Sequence, residues 1–281
     1  MKNQIAFCIT GWHYPNTLYI DIKNIPNVDI FIISHKSRSE VPAAIFESFP
    51  KESILFKPNY GYDWGCFQQF LETNIWKSYE YIFFMHDDIQ ILNANFVEPC
   101  IQLLNGGYSI VGNGRPFDKR DWPRTHLKYY AHSIWKPLST SFEHDIVRGS
   151  FFVTKRESLE KMGSFEVFWD KFRLAIGFGN YSLIASCGKF SDLFGQNAYA
   201  YLSNDYKSSN YIIELERGDQ PGGARNQVGK IHRYLLNTLF MSWFGKLCKT
   251  YTVSKMKQKI PTLEKLQQKV MKLIIDLFAK R

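Results

Sequence analysis

The chain has 281 residues, 45% of them hydrophobic and 16% aromatic. That is enough for one large α/β domain or two small ones, and too apolar for disorder to be the default. The net charge of +9 lies wholly at one end: Arg233 to Arg281 holds eleven basic residues against Glu264 and Asp276, so residues 1–232 are electroneutral. A uniformly basic nucleic-acid binder is thereby disfavoured, because its surplus charge should lie on the folded face that meets phosphate. The cysteines Cys8, Cys66, Cys100, Cys187 and Cys248 are widely spaced and form no CxxC. This argues against a disulfide framework or a zinc ribbon and fits a reducing cytosol. No apolar run of about 18 residues is present, so no membrane-spanning helix is expected. The segment Met1 to Cys8 lacks the apolar core and cleavage site of a signal peptide.

In chain order, the apolar runs Ile5–Thr10, Val28–Ser34, Ser53–Lys57 and Tyr81–Met85 predict buried strands. Helices are predicted around Pro42–Phe49 and Trp64–Thr73, and Asn95 reads as an N-cap for Phe96–Leu104. Gly106–Asp145 reads as loops and short strands. Ile146–Thr154 reads as a strand leading into a helix over Arg156–Met162, and Gly177–Gly188 as a helix opening near Asn180. Arg217–Asn226 is a polar, glycine-rich loop ahead of a C-terminal helical segment. Short apolar strands alternating with helices predict an α/β fold with a mostly parallel sheet and helices on both faces. Ligands of such sheets bind at the carboxyl ends of the strands.

Two motifs stand at such ends. His86-Asp87-Asp88 closes the fourth strand. Adjacent carboxylates there are costly unless compensated, either by solvent at an exposed turn or by a divalent cation bridging a diphosphate. Asn59-Tyr60-Gly61-Tyr62-Asp63-Trp64-Gly65 follows the third strand. Its glycines permit close backbone approach to a ligand. Asn59 or Asp63 is suited to hydrogen-bond a ribose or base, and Tyr62 or Trp64 to stack on one; alternatively Asp63 is the N-cap of the next helix. No GxGxG follows the first strand, where Thr10-Gly11-Trp12-His13 stands, and this disfavours a methyltransferase.

Together these motifs resemble the nucleotide-binding half of GT-A glycosyltransferases, in particular bacterial family 2-like members. Arg148-Gly149-Ser150-Phe151-Phe152-Val153, followed by Met162-Gly163-Ser164-Phe165-Glu166, resembles their acceptor-side segment. The resemblance spans roughly residues 4–205. It implies a Rossmann-like GT-A fold and a nucleotide-sugar donor held by Thr10, Gly11, Asn59, Tyr62, Asp63, His86, Asp87 and Arg225. It also implies Mn²⁺ or Mg²⁺ on Asp88, with Asp87 and His232 as further ligands. The sequence departs from the pattern in three places. His86 stands for the usual first acid of the DxD motif, Ser34-His35-Lys36-Ser37 replaces the acid after the second strand, and Asn180 stands where the catalytic base is expected.

Glycosyl transfer with inversion needs a carboxylate to take the acceptor's proton. Asp170, Glu166 and Asp145 are the candidates, in that order. Asp170 is equally suited to capping a helix or pairing with Lys171 or Arg173. The Arg217–Asn226 loop reads as a lid whose Arg225 reaches phosphate, or as a plain linker. A retaining transferase is the enzymatic alternative, and a catalytically silent, membrane-bound assembly partner is the non-enzymatic one.

From Thr262 to Lys280, Leu263, Leu266, Val270, Leu273, Ile274 and Leu277 fall on one helical arc, with lysines opposite. Tyr234–Phe244 upstream is aromatic and apolar. This pattern suits an anionic membrane surface, or alternatively a helix packed on the body or a homodimer arm. The expectation is a catalytic domain over 1–232 and a basic helical extension over 233–281. The protein is expected to sit peripherally on the inner face of the plasma membrane and to extend a glycan or lipid-linked acceptor in bacterial surface polysaccharide synthesis.

Overall fold

The computed structural model describes residues 4–59, 62–115, 144–167, 181–203 and 208–215, all of which fall in one compact unit. Its strands are β1 (Ile5–Gly11), β2 (Val28–Ser34), β3 (Ile54–Phe56), β4 (Tyr81–His86), β5 (Ile89–Ile91), β6 (Ile110–Arg115), β7 (Ile146–Lys155), β8 (Tyr199–Ser203) and β9 (Ile212–Glu214). Its α-helices are α1 (Asn16–Lys23), α2 (Ala43–Ser48), α3 (Tyr62–Glu72), α4 (Val97–Asn105), α5 (Arg156–Met162) and α6 (Tyr181–Phe194).

Seven strands form one sheet in the order β3-β2-β1-β4-β7-β6-β8. All run the same way except β7, which pairs antiparallel with both β4 and β6. The expected mostly parallel α/β architecture holds, with one reversal. β5 and β9 form a separate antiparallel pair.

Both faces of the sheet are covered, which is why its strands read as unbroken apolar runs rather than alternating ones. On one face Ala6, Cys8, Ile33, Phe84 and Phe152 pack with Trp64, Phe67 and Phe70 of α3 and Phe190 of α6. On the other, Phe7, Ile9, Ile32, Phe83, Met85 and Phe151 pack with Leu18 and Ile22 of α1, Ile45 of α2 and Leu104 of α4. Neighbours in the chain thus serve opposite cores, as the two-residue period of a strand requires. In β4 every residue from Tyr81 to Met85 is buried, and His86 is the first with partial exposure.

Several local expectations are corrected. Asn95 does not cap α4. A 3₁₀ turn over Ala94–Phe96 precedes that helix, and Asn93 Oδ1 accepts the Asn95 N–H at 2.9 Å, so the cap lies two residues upstream. The helix expected to open near Asn180 is described from Tyr181 and runs on to Phe194. Helix α1 was not expected at all, although Leu18, Tyr19 and Ile22 already give it a buried face.

Candidate functional site

The parallel pairing fixes which residues meet at the carboxyl edge. Thr10 pairs with His86, and Gly11 with Ser34, so β1, β2 and β4 end side by side. The polar residues that follow each strand are therefore neighbours, however far apart they lie in sequence.

His86 is the hub. Its Nε2 donates to Asp63 Oδ2 at 3.1 Å, and its Nδ1 lies 3.4 Å from Asp88 Oδ1. Burial disfavours the imidazolium, but the two carboxylates outweigh it and hold the His86 pKa up at about 10. Burial also acts against ionisation of Asp88, yet the adjacent His86 brings its carboxyl below the ordinary range. Asp63 in the first turn of α3 thus reaches across to β4, and the two sequence motifs form one charged constellation.

Asp87 points elsewhere. It is only 2% exposed, and its Oδ2 accepts the backbone N–H groups of Trp12, His13 and Tyr14 at 2.7, 2.6 and 2.8 Å. Burial pushes its carboxyl up, while these backbone donors favour the charged form. Tyr14, at φ 53°, donates through its hydroxyl to Ser34 Oγ at 2.5 Å. A Cβ at Gly11 would lie 2.6 Å from that hydroxyl, so Gly11 leaves room for the Tyr14 side chain.

Around this edge, Lys36 Nζ sits 5.2 Å from the Trp12 ring centre. His35 Nε2 meets Gln69 Oε1 at 3.0 Å, and Gln69 donates to the Pro58 carbonyl at 2.9 Å, joining the ends of β2 and β3 through α3. Burial lowers the His35 pKa, only partly offset by Gln69. Asn59 Oδ1 is buried without a hydrogen-bond partner, and so is Asp88 Oδ1.

Trp64 is a core residue, not a ligand platform. It is 1% exposed and stacks on Phe152 at 5.3 Å. Gly149 of β7 lies directly beneath it: a Cβ there would stand 2.7 Å from Asp63 Oδ2 and 3.0 Å from Trp64 Nε1. This close approach is what allows the start of α3 to lie against the sheet.

Of the candidate bases, Glu166 is paired with Lys189 at 3.3 Å, and Lys189 also donates to the Ser164 carbonyl at 2.7 Å. Its carboxylate thus helps hold the 164–166 turn. Asp145 is half-buried just before β7 and accepts at its carbonyl from His144 Nδ1 at 2.7 Å. The expectations for Asp170, Arg225, His232, the Arg217–Asn226 loop and the extension from Arg233 lie outside the described residues, as does the Tyr62 side chain.

Sequence reasoning missed the Trp12–Tyr14 amides, Lys36 and Gln69. Only Gly11, as a break after an apolar run, signalled that a tight loop begins there.

No protein-family model matches this chain, and no curated protein matches it. Among solved structures it is similar to crystal structures of S. aureus TarS 1–349. The complex with UDP-GlcNAc aligns at TM-score 0.48 and 9% identity, over 94% of this chain and 78% of that one. TarS 1–349 itself aligns at 0.48 and 10%, over 91% and 77%. The complex with UDP aligns at 0.45 and 9%, over 92% and 75%. At such scores the likeness carries neither a residue role nor an activity to this chain.

Proposed function

We propose that the protein is a GT-A-type glycosyltransferase that moves a sugar from a nucleotide-sugar donor to a glycan or lipid-linked acceptor. The observation that carries this reading is the Asp63–His86–Asp88 constellation at the carboxyl edge of a parallel sheet. An edge of this kind is where such sheets receive nucleotides.

A divalent cation fits one atom of the site. Asp88 Oδ1 is buried and makes no hydrogen bond; its charge is compensated by His86 Nδ1 at 3.4 Å, a place that a bound cation would share or take over. Among the described residues no group of three or more His, Cys, Asp or Glu forms a metal cage. Asp88 would therefore hold the ion together with donor oxygens, and His232 is proposed as a further ligand. Bound there, Mn²⁺ or Mg²⁺ would supply charge neutralisation to the departing diphosphate.

The chain's own residues do the remaining work. His86, held by two carboxylates, keeps Asp63 and Asp88 at fixed positions, so the edge is ordered before the donor arrives. Thr10, Asn59, Asp63 and Lys36 are proposed to line the donor side. Arg225 is proposed to meet the diphosphate and Asp170 to accept the acceptor's proton in an inverting transfer. The lysine-rich segment beyond Arg233 is proposed to hold the protein on the anionic inner face of the plasma membrane, near a lipid-linked acceptor of surface polysaccharide synthesis.

The test is a thermal-shift panel of nucleotide sugars with and without Mn²⁺, repeated with Asp88→Asn. Ligand binding raises apparent stability by mass action. A metal-dependent shift with one class of donor, absent in Asp88→Asn, is the expected result. No shift with any donor would overturn the reading.

A further inference from the structure

The two acids that follow β4 are adjacent in sequence and differ in burial and in partners. Asp88 is partly exposed and has one oxygen without a hydrogen bond. Asp87 is buried, and one of its oxygens takes three backbone N–H donors. Asp87 faces the amides of Trp12–Tyr14 whereas Asp88 faces His86, so the two carboxylates serve different partners.

We propose that Asp87 is a positioning residue that latches the loop after β1 into the shape that receives the donor's nucleoside, and that it is not a cation ligand. This rests on the donor reading above and assigns one of its motif residues a different part.

The geometry is specific. Three consecutive amides, Trp12 to Tyr14, converge on Oδ2 at 2.6–2.8 Å, with Tyr14 at φ 53° turning the chain to close the concavity. Converging amides of this kind are an anion-binding nest. Here the nest is filled by the protein's own carboxylate, so it is not available to a donor phosphate. Three donors at that range engage Oδ2, so the loop and not an ion fixes the orientation of this carboxylate.

The latch also has something to position. The loop carries Trp12, whose ring lies 5.2 Å from Lys36 Nζ, and Tyr14, whose hydroxyl is bonded to Ser34 at the end of β2. Asp87 therefore joins β4 to β1, and Tyr14 joins β1 to β2. Removing the carboxylate would leave three amides unsatisfied in a largely buried place, and the loop would have to move to find water.

The experiment compares Asp87→Asn with Asp88→Asn by hydrogen exchange at residues 12–14, by Mn²⁺ titration calorimetry and by affinity for a panel of nucleoside diphosphates. The wild-type amides of residues 12–14 are expected to exchange slowly although they lie outside any helix or strand. Asp87→Asn should speed that exchange by about tenfold or more, weaken nucleoside diphosphate binding by about tenfold and leave Mn²⁺ affinity within about threefold. Asp88→Asn should lose Mn²⁺, and metal-dependent donor binding with it, with exchange at residues 12–14 unchanged. Fast wild-type exchange at these amides overturns the latch whether or not the variant folds. So does Asp87→Asn that abolishes Mn²⁺ binding while leaving the loop protected. A wild-type protein that binds no nucleoside diphosphate would overturn the glycosyl-transfer reading instead, and the exchange result would then decide the latch alone.

Discussion

Asp63 and His86, 23 residues apart, meet at 3.1 Å and bind the first turn of α3 to the end of β4. Both side chains are about a quarter exposed, at 28% and 21%, so solvent screens the pair only in part. A double-mutant cycle of Asp63→Asn and His86→Gln, measured by urea denaturation in chelator, should return a coupling of about 1–2 kcal/mol. Additive single effects would show that the contact does not bind the two elements together.

Gly149 is the close-packed point under that contact. Gly149→Ala places a methyl 2.7 Å from Asp63 Oδ2 and 3.0 Å from Trp64 Nε1 in the core, where little can give way. Overpacking of this kind costs about 1–3 kcal/mol. Because the intruding atom meets Asp63 first, donor binding should weaken more than the loss of stability explains. Denaturation and ligand titration of the same variant read the two effects separately.

Trp64 separates packing from recognition. Its ring is buried on Phe152, and its Nε1 is buried without a hydrogen-bond partner. Trp64→Phe leaves a cavity, yet removes the unpaired N–H, and should cost less than Trp64→Ala and leave donor affinity unchanged. Trp64→Ala should cost about 3–5 kcal/mol. A selective loss of nucleotide affinity in Trp64→Phe would return this residue to the ligand-stacking part that its sequence context suggests.

His35 gives a pH signature. Burial depresses its folded-state pKa below the unfolded value of about 6.5. The folded state then resists protonation that the unfolded chain accepts. The stability contribution is thus present above about pH 6.5 and is lost as pH falls through the folded pKa. Between pH 7 and pH 5 the wild-type melting temperature should fall by more than that of His35→Gln, measured side by side in chelator. Parallel profiles would count against a buried, neutral imidazole.

The basic extension is tested by removal. A chain ending at His232 should no longer sediment with vesicles containing phosphatidylserine, while its donor-induced thermal shift persists. Continued sedimentation at physiological salt would place the membrane contact elsewhere, since the polybasic attraction acts only within a Debye length of the surface.

What could be read from the sequence follows the range of the interactions involved. β4 was legible because five buried residues in a row end at three polar ones. Its neighbours β1 and β2 were legible for the same reason, and with them the edge where His86 and Asp88 stand. The Asp63–His86 contact was not, because it depends on strand order, and neither was the Asp87 nest, whose partners lie more than 70 residues away. The reversed direction of β7 was hidden because an apolar strand reads alike in either direction. β5 and β9, at three residues each, are too short to show a period. From the sequence Asp63 reads as a helix cap or a ligand contact; its side chain also reaches His86, a contact that only the fold makes available.

The passage from Met85 to His86 has a practical meaning for anyone reshaping this scaffold. Up to Met85 each β4 side chain is enclosed by one of two cores, so a library of substitutions there would return mostly unfolded chains. One step later the constraint changes from packing to charge. Within residues 86–88, position 87 is tied to a loop and position 88 is the less encumbered. New chemistry is therefore best sought at positions 63, 86 and 88 varied together, with the strand behind them left untouched.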